Sequence, residues 1–305
     1  MVSTRGGQYQ DIDVILADPN DTVRYGLMGM LRQQGLRKIR AVNKLSALTE
    51  ELKSSPADLI AVSDTLGDSV FSNIRNLRHN KLGGNPFAIV TFMVSPENQS
   101  SVKQAIMAGA DDVMLKPVAP GKIVARAQHI AYNRIPFIAT TEYIGPNRRK
   151  DGRKSDIPLI NVINTFKAKM DGKEVKSEVL EQAVDQNFKS IRTAQLDSQG
   201  LRLGYVCDLI LTAYDEGKVD QEVEHNLLVL VQCLEEASDA ATAVGEPELS
   251  TICSEFRHRI EAMSGHYMTP DEKSLNLIRK LTKAFQMAKE AASARMPKMG
   301  FQKNP

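Results

Sequence analysis

Four polar residues stand at or beside the ends of short apolar runs. Asp18 closes Asp13-Val-Ile-Leu-Ala-Asp18, and Asp64 closes Leu59-Ile-Ala-Val-Ser-Asp64. Thr91 belongs to the run Phe87-Ala-Ile-Val-Thr-Phe-Met93, and Lys116 follows Val113-Met-Leu115. Runs of this length and composition read as buried parallel strands. A hydroxyl and a lysine at the ends of neighbouring parallel strands open onto one crevice. Open α/β sheets bind anions there, at the carboxyl ends of their strands.

The elements that must position these groups follow from the pattern around them. Asn20-Asp21 can cap a helix with Val23, Leu27, Met30 and Leu31 on its apolar face, stopped by Gly35. Ile39 to Val42 reads as an edge strand and Leu45 to Leu52 as a short helix. Residues 69–79 are helical, with Val70, Phe71, Ile74 and Leu77 inward. Val102, Ile106 and Met107 mark the next helix, and Pro120 opens the fifth. Five βα units in alternation predict an α/β fold, a doubly wound five-stranded parallel sheet of order 2-1-3-4-5.

The stretch from Asn85 to Val118 resembles the second half of a response-regulator receiver domain, the phosphorylated module of two-component signalling. The matching residues are Thr91, the string Ala-Gly-Ala-Asp-Asp-Val-Met-Leu-Lys-Pro from Ala108 to Pro117, and Pro120. A receiver takes a phosphoryl group from a phosphohistidine onto an aspartate. Acids hold a magnesium ion through oxygen, and a cation and a hydroxyl neutralise the phosphoryl oxygens. The resemblance implies Asp18 and Asp64 as metal acids, Asp64 as phosphoacceptor, Thr91 as the phosphate-sensing hydroxyl and Lys116 as the phosphate-binding cation.

The sequence also departs from the family. Pro19 stands where a second acid usually follows Asp18, which weakens the magnesium site. Thr65-Leu-Gly-Asp68 lacks the usual Met-Pro-Gly, and the switch position on strand five, usually aromatic, holds Val113. The acceptor register has two solutions. Counting from Asp58 puts Ser63 at the acceptor position, whereas Ala-Val-Ser-Asp as the strand end puts Asp64 there. Asp64 is preferred, because only a carboxylate yields an acyl phosphate.

Residues 135–157 lose the periodicity and are rich in proline, glycine and charge, so the expected layout is a receiver over 1–134, a linker over 135–157 and a helical bundle over 158–305. Five bases against one acid between Arg148 and Lys154 read first as a solvated hinge. A nucleic-acid patch would want interleaved aromatics and a folded reading motif, and neither is present. Beyond 158, stripes at 179–191, 205–214, 223–234 and 252–263 carry the apolar spacing of helices that bury against one another. Thr269-Pro270-Asp271-Glu272 reads as the capped start of a last helix.

The 305 residues suit about two domains, and a charge of +2 excludes a polyanion binder by bulk charge. No apolar run approaches the roughly 20 residues needed to span a bilayer, and the first ten residues carry no signal-peptide core. Cys207, Cys233 and Cys253 are widely spaced, which suits reduced thiols in a cytoplasm. His225 and His258 lack the neighbours of a phosphotransfer histidine, and no nucleotide loop, metal spacing or hydrolase triad occurs, so no enzyme is expected. Two readings stand. One is a response regulator in a phosphorelay, fed by a histidine kinase or phosphotransfer protein, whose receiver gates a helical protein-binding domain. The other is a phosphorylation-independent pseudo-receiver, a scaffold or homodimerisation protein in which Asp18, Asp64 and Lys116 are a residual ion-pair cluster.

Overall fold

The structure, a computed structural model, describes residues 9–148 and 158–295. The chain divides into two compact units, residues 1–188 and 189–305. In the first, strands β1 (Asp13–Ala17), β2 (Lys38–Val42), β3 (Leu59–Ser63), β4 (Ile89–Val94) and β5 (Asp112–Leu115) alternate with five helices. These are α1 (Asp21–Gln33), α2 (Leu45–Ser54), α3 (Val70–Arg78), α4 (Gln99–Met107) and α5 (Pro120–Tyr132). All strand pairs are parallel and the order is β2-β1-β3-β4-β5. This is the doubly wound sheet that the alternation predicts. Asn20 caps α1 as expected, its Oδ1 accepting from the Val23 amide at 3.1 Å.

Side chains alternate across a strand, so parity decides which layer each residue enters. Ile60, Val62, Val90, Phe92 and Val94 point into the layer with Leu48, Ile74 and Ala105 from α2, α3 and α4. Leu59, Ala61, Ile89, Met93 and Met114 point the other way, against Leu27, Leu31, Ile123 and Ala127 from α1 and α5. By the same count Ser63 continues the α1/α5 face and Asp64 the opposite one.

The stretch expected to be a linker holds structure. Strands β6 (Phe137–Ala139) and β7 (Ile144–Pro146) form an antiparallel hairpin, and the helix α6 (Thr165–Met170) follows. The first unit extends through the opening turns of α7 (Ser177–Asp215) as far as Phe188, well past residue 134. The hairpin is held by buried charge. Arg78 is fully buried, and it donates to Asp111 Oδ2 at 2.7 Å and to the carbonyls of Gly109 (2.9 Å), Pro86 (2.5 Å) and Ala88 (2.9 Å). Arg134 reaches the other oxygen of Asp111 at 3.3 Å. The ring of Phe137 lies 5.3 Å from the Arg78 guanidinium and 5.2 Å from that of Arg134. Gly109 has φ +85°, and a Cβ there would sit 2.4 Å from the Ile144 carbonyl oxygen, so only glycine lets β7 come so close. Of the basic run, Arg148 donates to the Ala110 carbonyl at 2.8 Å; residues 149–157 lie outside the described residues.

A second clamp ties α6 to the sheet. Lys169 donates to Asp13 at 2.8 Å and to Asp58 at 2.7 Å, beneath the amino ends of β1 and β3. Phe166 and Met170 sit in the same apolar layer as Leu31 and Ile123.

In the second unit, α7, α8 (Gln221–Val244), α9 (Pro247–Ser264) and α10 (Glu272–Arg295) bury Leu203, Ile210, Leu230, Ile260, Leu281 and Phe285 together. The stripes at 179–191 and 205–214 belong to one 39-residue helix. Gly200, inside it, lets the Phe285 ring approach to 3.0 Å of where a Cβ would stand. At the start of α10 it is Asp271, not Thr269, that caps, accepting from the Ser274 amide at 2.7 Å. Cys207, Cys233 and Cys253 are buried and free, and burial pushes their thiols up to about 11, about 11 and about 12. Little thiolate exists at neutral pH under those conditions. Among the described residues no helix is long and apolar enough to cross a membrane.

Burial lowers the pKa of the Arg78 guanidinium from its ordinary value, with Asp111 opposing the shift. Removing one partner of such a pair strands the other. Arg78→Ala should therefore cost about 3–5 kcal/mol in a denaturant titration. A loss within the scatter of surface substitutions would contradict this role.

Candidate functional site

Asp18 and Lys116 meet, as expected, at the carboxyl end of the sheet. Lys116 Nζ donates to Asp18 Oδ2 at 2.9 Å. Its second contact is Ser63 Oγ at 2.6 Å. The Ser63 oxygen also accepts from the Thr65 amide at 3.2 Å and lies 2.8 Å from Thr65 Oγ1. A hydroxyl has two lone pairs and one proton. With both lone pairs taken by Lys116 and the Thr65 amide, Ser63 donates its proton to Thr65. Asp18 is completely buried, and its other oxygen accepts from the Asn20 amide at 2.9 Å. The backbone carbonyl of Asp18 accepts from Arg24 Nη1 at 2.8 Å, while Arg24 Nη2 is paired with Asp21.

Asp64 does not join this cluster, which corrects the expected convergence of four groups. Its amide continues the β3 ladder to the Met93 carbonyl at 3.1 Å. Its carboxylate leaves on the α3/α4 side. There Oδ1 accepts from the Ser95 amide at 3.2 Å and from Ser95 Oγ at 3.4 Å, and Oδ2 accepts from Asn98 at 3.4 Å. The cause is the two-residue period of the strand: a step of one residue exchanges faces. The position that faces Lys116 on β3 holds Ser63.

Thr91 is likewise displaced from the expected rim. It lies inside β4, fully buried, and among the described residues its Oγ1 has no hydrogen-bond partner. The hydroxyl at the strand end is that of Ser95. Four residue steps along the strand separate the two, about 13 Å at the usual rise. Ser63 is the alternative that the sequence offers beside the preferred Asp64, and Ser95 is the site residue that reading the sequence misses. The count from Asp58 already points to Ser63, and the signal for Ser95 is the Ser95-Pro96 break after the apolar run.

Magnesium takes near-octahedral oxygen coordination, usually with one or two carboxylates. Here Asp18 is the one acid of the cluster, both its oxygens already accept hydrogen bonds, Pro19 offers no side-chain ligand, and Asp64 faces away. Asp21 is engaged by Arg24. Among the described residues no group of three or more His, Cys, Asp or Glu is placed to hold a metal ion. The residues present do not fit a magnesium site of the kind the receiver resemblance implies.

No family model and no curated protein matches the chain. Solved structures similar to it include three response regulators. One, from Burkholderia pseudomallei, is described with a phosphorylated aspartic acid, calcium ion and citrate; it is 21% identical, the match covers 43% of this chain and 79% of that one, and the TM-score is 0.35. DrrB of Thermotoga maritima, an OmpR/PhoB homologue, is 18% identical over 60% of this chain and 89% of its own, with a TM-score of 0.35. RcsB of Salmonella typhimurium is 14% identical over 88% of this chain and 99% of its own, with a TM-score of 0.33.

Proposed function

We propose that the chain is a response-regulator-like signalling protein whose first unit acts without accepting a phosphoryl group. In this reading the receiver-like unit is a docking module, and the helical unit binds another protein. The contact that carries the reading is Lys116 Nζ on Ser63 Oγ, 2.6 Å, beside its pair with Asp18. In a working receiver the residue at that place on β3 is an aspartate. A serine ester of phosphate is chemically far less labile than an acyl phosphate, and Ser63 is fully buried. Two of the three Lys116 donors are held by Asp18 and Ser63, and the buried Asp18 needs its share, because an unpaired carboxylate in the interior is costly.

The phosphorelay reading would use Asp64 as acceptor, with a histidine kinase or phosphotransfer protein as donor. Against it stand the orientation of Asp64 toward Ser95 and Asn98 and the depth of Thr91. Homodimerisation and a cytoplasmic setting remain part of the proposal as the sequence raised it. The helical unit contains no histidine with phosphotransfer neighbours, which favours binding over group transfer there.

Two outcomes are expected. Full-length protein incubated with acetyl phosphate and magnesium should gain no phosphoryl mass; a label that Asp64→Ala removes would refute the proposal. Thr91→Val should leave stability unchanged or raise it by about 1–3 kcal/mol, since it deletes a buried hydroxyl without a partner. A clear drop in melting temperature would mean that the hydroxyl is engaged.

A further inference from the structure

A cleft of about 530 Å³ opens beside Lys116, between α1 and the loops that follow β4 and β5. Its walls are chiefly apolar: Val23, Leu27, Met30, Met93, Pro96 and Val118. Val23 and Met30 are exposed there, at 37% and 44%. Gly26 lines the cleft in the middle of α1. A glycine inside a helix costs stability relative to alanine. Here its φ is not positive, and an added Cβ would meet nothing within 4 Å, so neither backbone strain nor packing among the described residues calls for it. Its effect is to leave space at the cleft wall.

Pockets of this size, apolar with a few polar groups, are the usual form of small-ligand sites. The charge pattern narrows the ligand. Lys116 is the one cation in the lining and Glu97 the one anion. An ammonium has three N–H donors. Two go to Asp18 and Ser63, and no described residue accepts the third. The Lys116 side chain is 20% exposed, so that donor is open to a ligand oxygen that displaces solvent. An alkylammonium head has no lone pair to offer it. A carboxylate head would accept, but it would face the like charges of Glu97 and of Asp18 behind Lys116. A neutral carbonyl satisfies the donor without that repulsion.

We infer that this cleft binds a small, uncharged, largely apolar molecule through one carbonyl oxygen on Lys116 Nζ. Such a molecule would touch the cation that also holds Asp18 and Ser63, and so would serve as an input in place of a phosphoryl group. That use as an input rests on the phosphorylation-independent reading above; the binding does not. Labelling by acetyl phosphate would remove the first and leave the second standing.

The test is a methyl-NMR titration of full-length protein carrying labelled methionine, with 2-octanone, octanoate and octylamine as probes. The expected result is a saturable shift of the Met30 and Met93 methyl signals with 2-octanone, and weaker binding of the other two. Gly26→Leu, which fills the cleft, should abolish the shift. Gly29→Leu, on the same helix, also with open space at its Cβ but outside the lining, should retain it. No saturable shift with 2-octanone in the wild type would overturn the site. So would a shift that survives Gly26→Leu, or one lost equally in both variants. Octanoate binding more tightly than the ketone would overturn the neutral head group.

Discussion

One lysine organises the carboxyl end of the sheet. Lys116 leaves β5 on the α1/α5 side and is shared between a completely buried carboxylate and a serine. A buried Asp18 is tolerable only with a cation and an amide on its oxygens, because isolated buried charge is strongly disfavoured. The same pairing takes two of the three Lys116 donors, and both Asp18 oxygens already accept hydrogen bonds. In the proposed reading, the pairing that stabilises this corner is also what sets it apart from a phosphoryl-accepting receiver.

The opposite end of the sheet is closed by different means. Arg78, Asp111 and Arg134 form a buried charge cluster on which Phe137 rests, and Lys169 bridges Asp13 and Asp58. Arg78 and Asp111 there have several hydrogen-bond partners each, which is the condition under which such clusters persist. They bind the hairpin and α6 to the sheet, so the first unit is larger than five βα repeats. The Phe87 ring lies tilted at 5.5 Å from that of Phe188 and edge-on at 6.0 Å from that of Phe137, adding an aromatic seam to the same end.

Much of this was legible in the sequence, for reasons that are local. The apolar runs specify the strands and their order, Asn20 marks the start of α1, and the helical stripes mark α8 and α9. Lys116 and Asp18 were legible because each directly follows an apolar run. What was not legible depends on parity or on distant partners. Ser63 and Asp64 differ by one residue, and composition does not say which way either points; only the pairing of β3 with β4 does. Thr91 looks like a strand-end hydroxyl until the strand is seen to run on to Val94. The hairpin was hidden by its prolines and charges, because Phe137 is buried by Arg78 and Arg134, and Arg78 lies 59 positions away in the sequence. The two stripes of α7 read as separate helices because Gly200 and Gly204 resemble breakers, whereas they admit Phe285 and Thr282 from α10.

The most direct test of the central claim is the ¹⁵Nζ resonance of Lys116. An ammonium held by Asp18 and Ser63 should give a protected signal that moves in Ser63→Ala and in Asp18→Asn and stays in place in Asp64→Asn. A signal that ignores Ser63→Ala and moves in Asp64→Asn would put Lys116 on the carboxylate after all, and the phosphoryl-accepting account would return with it.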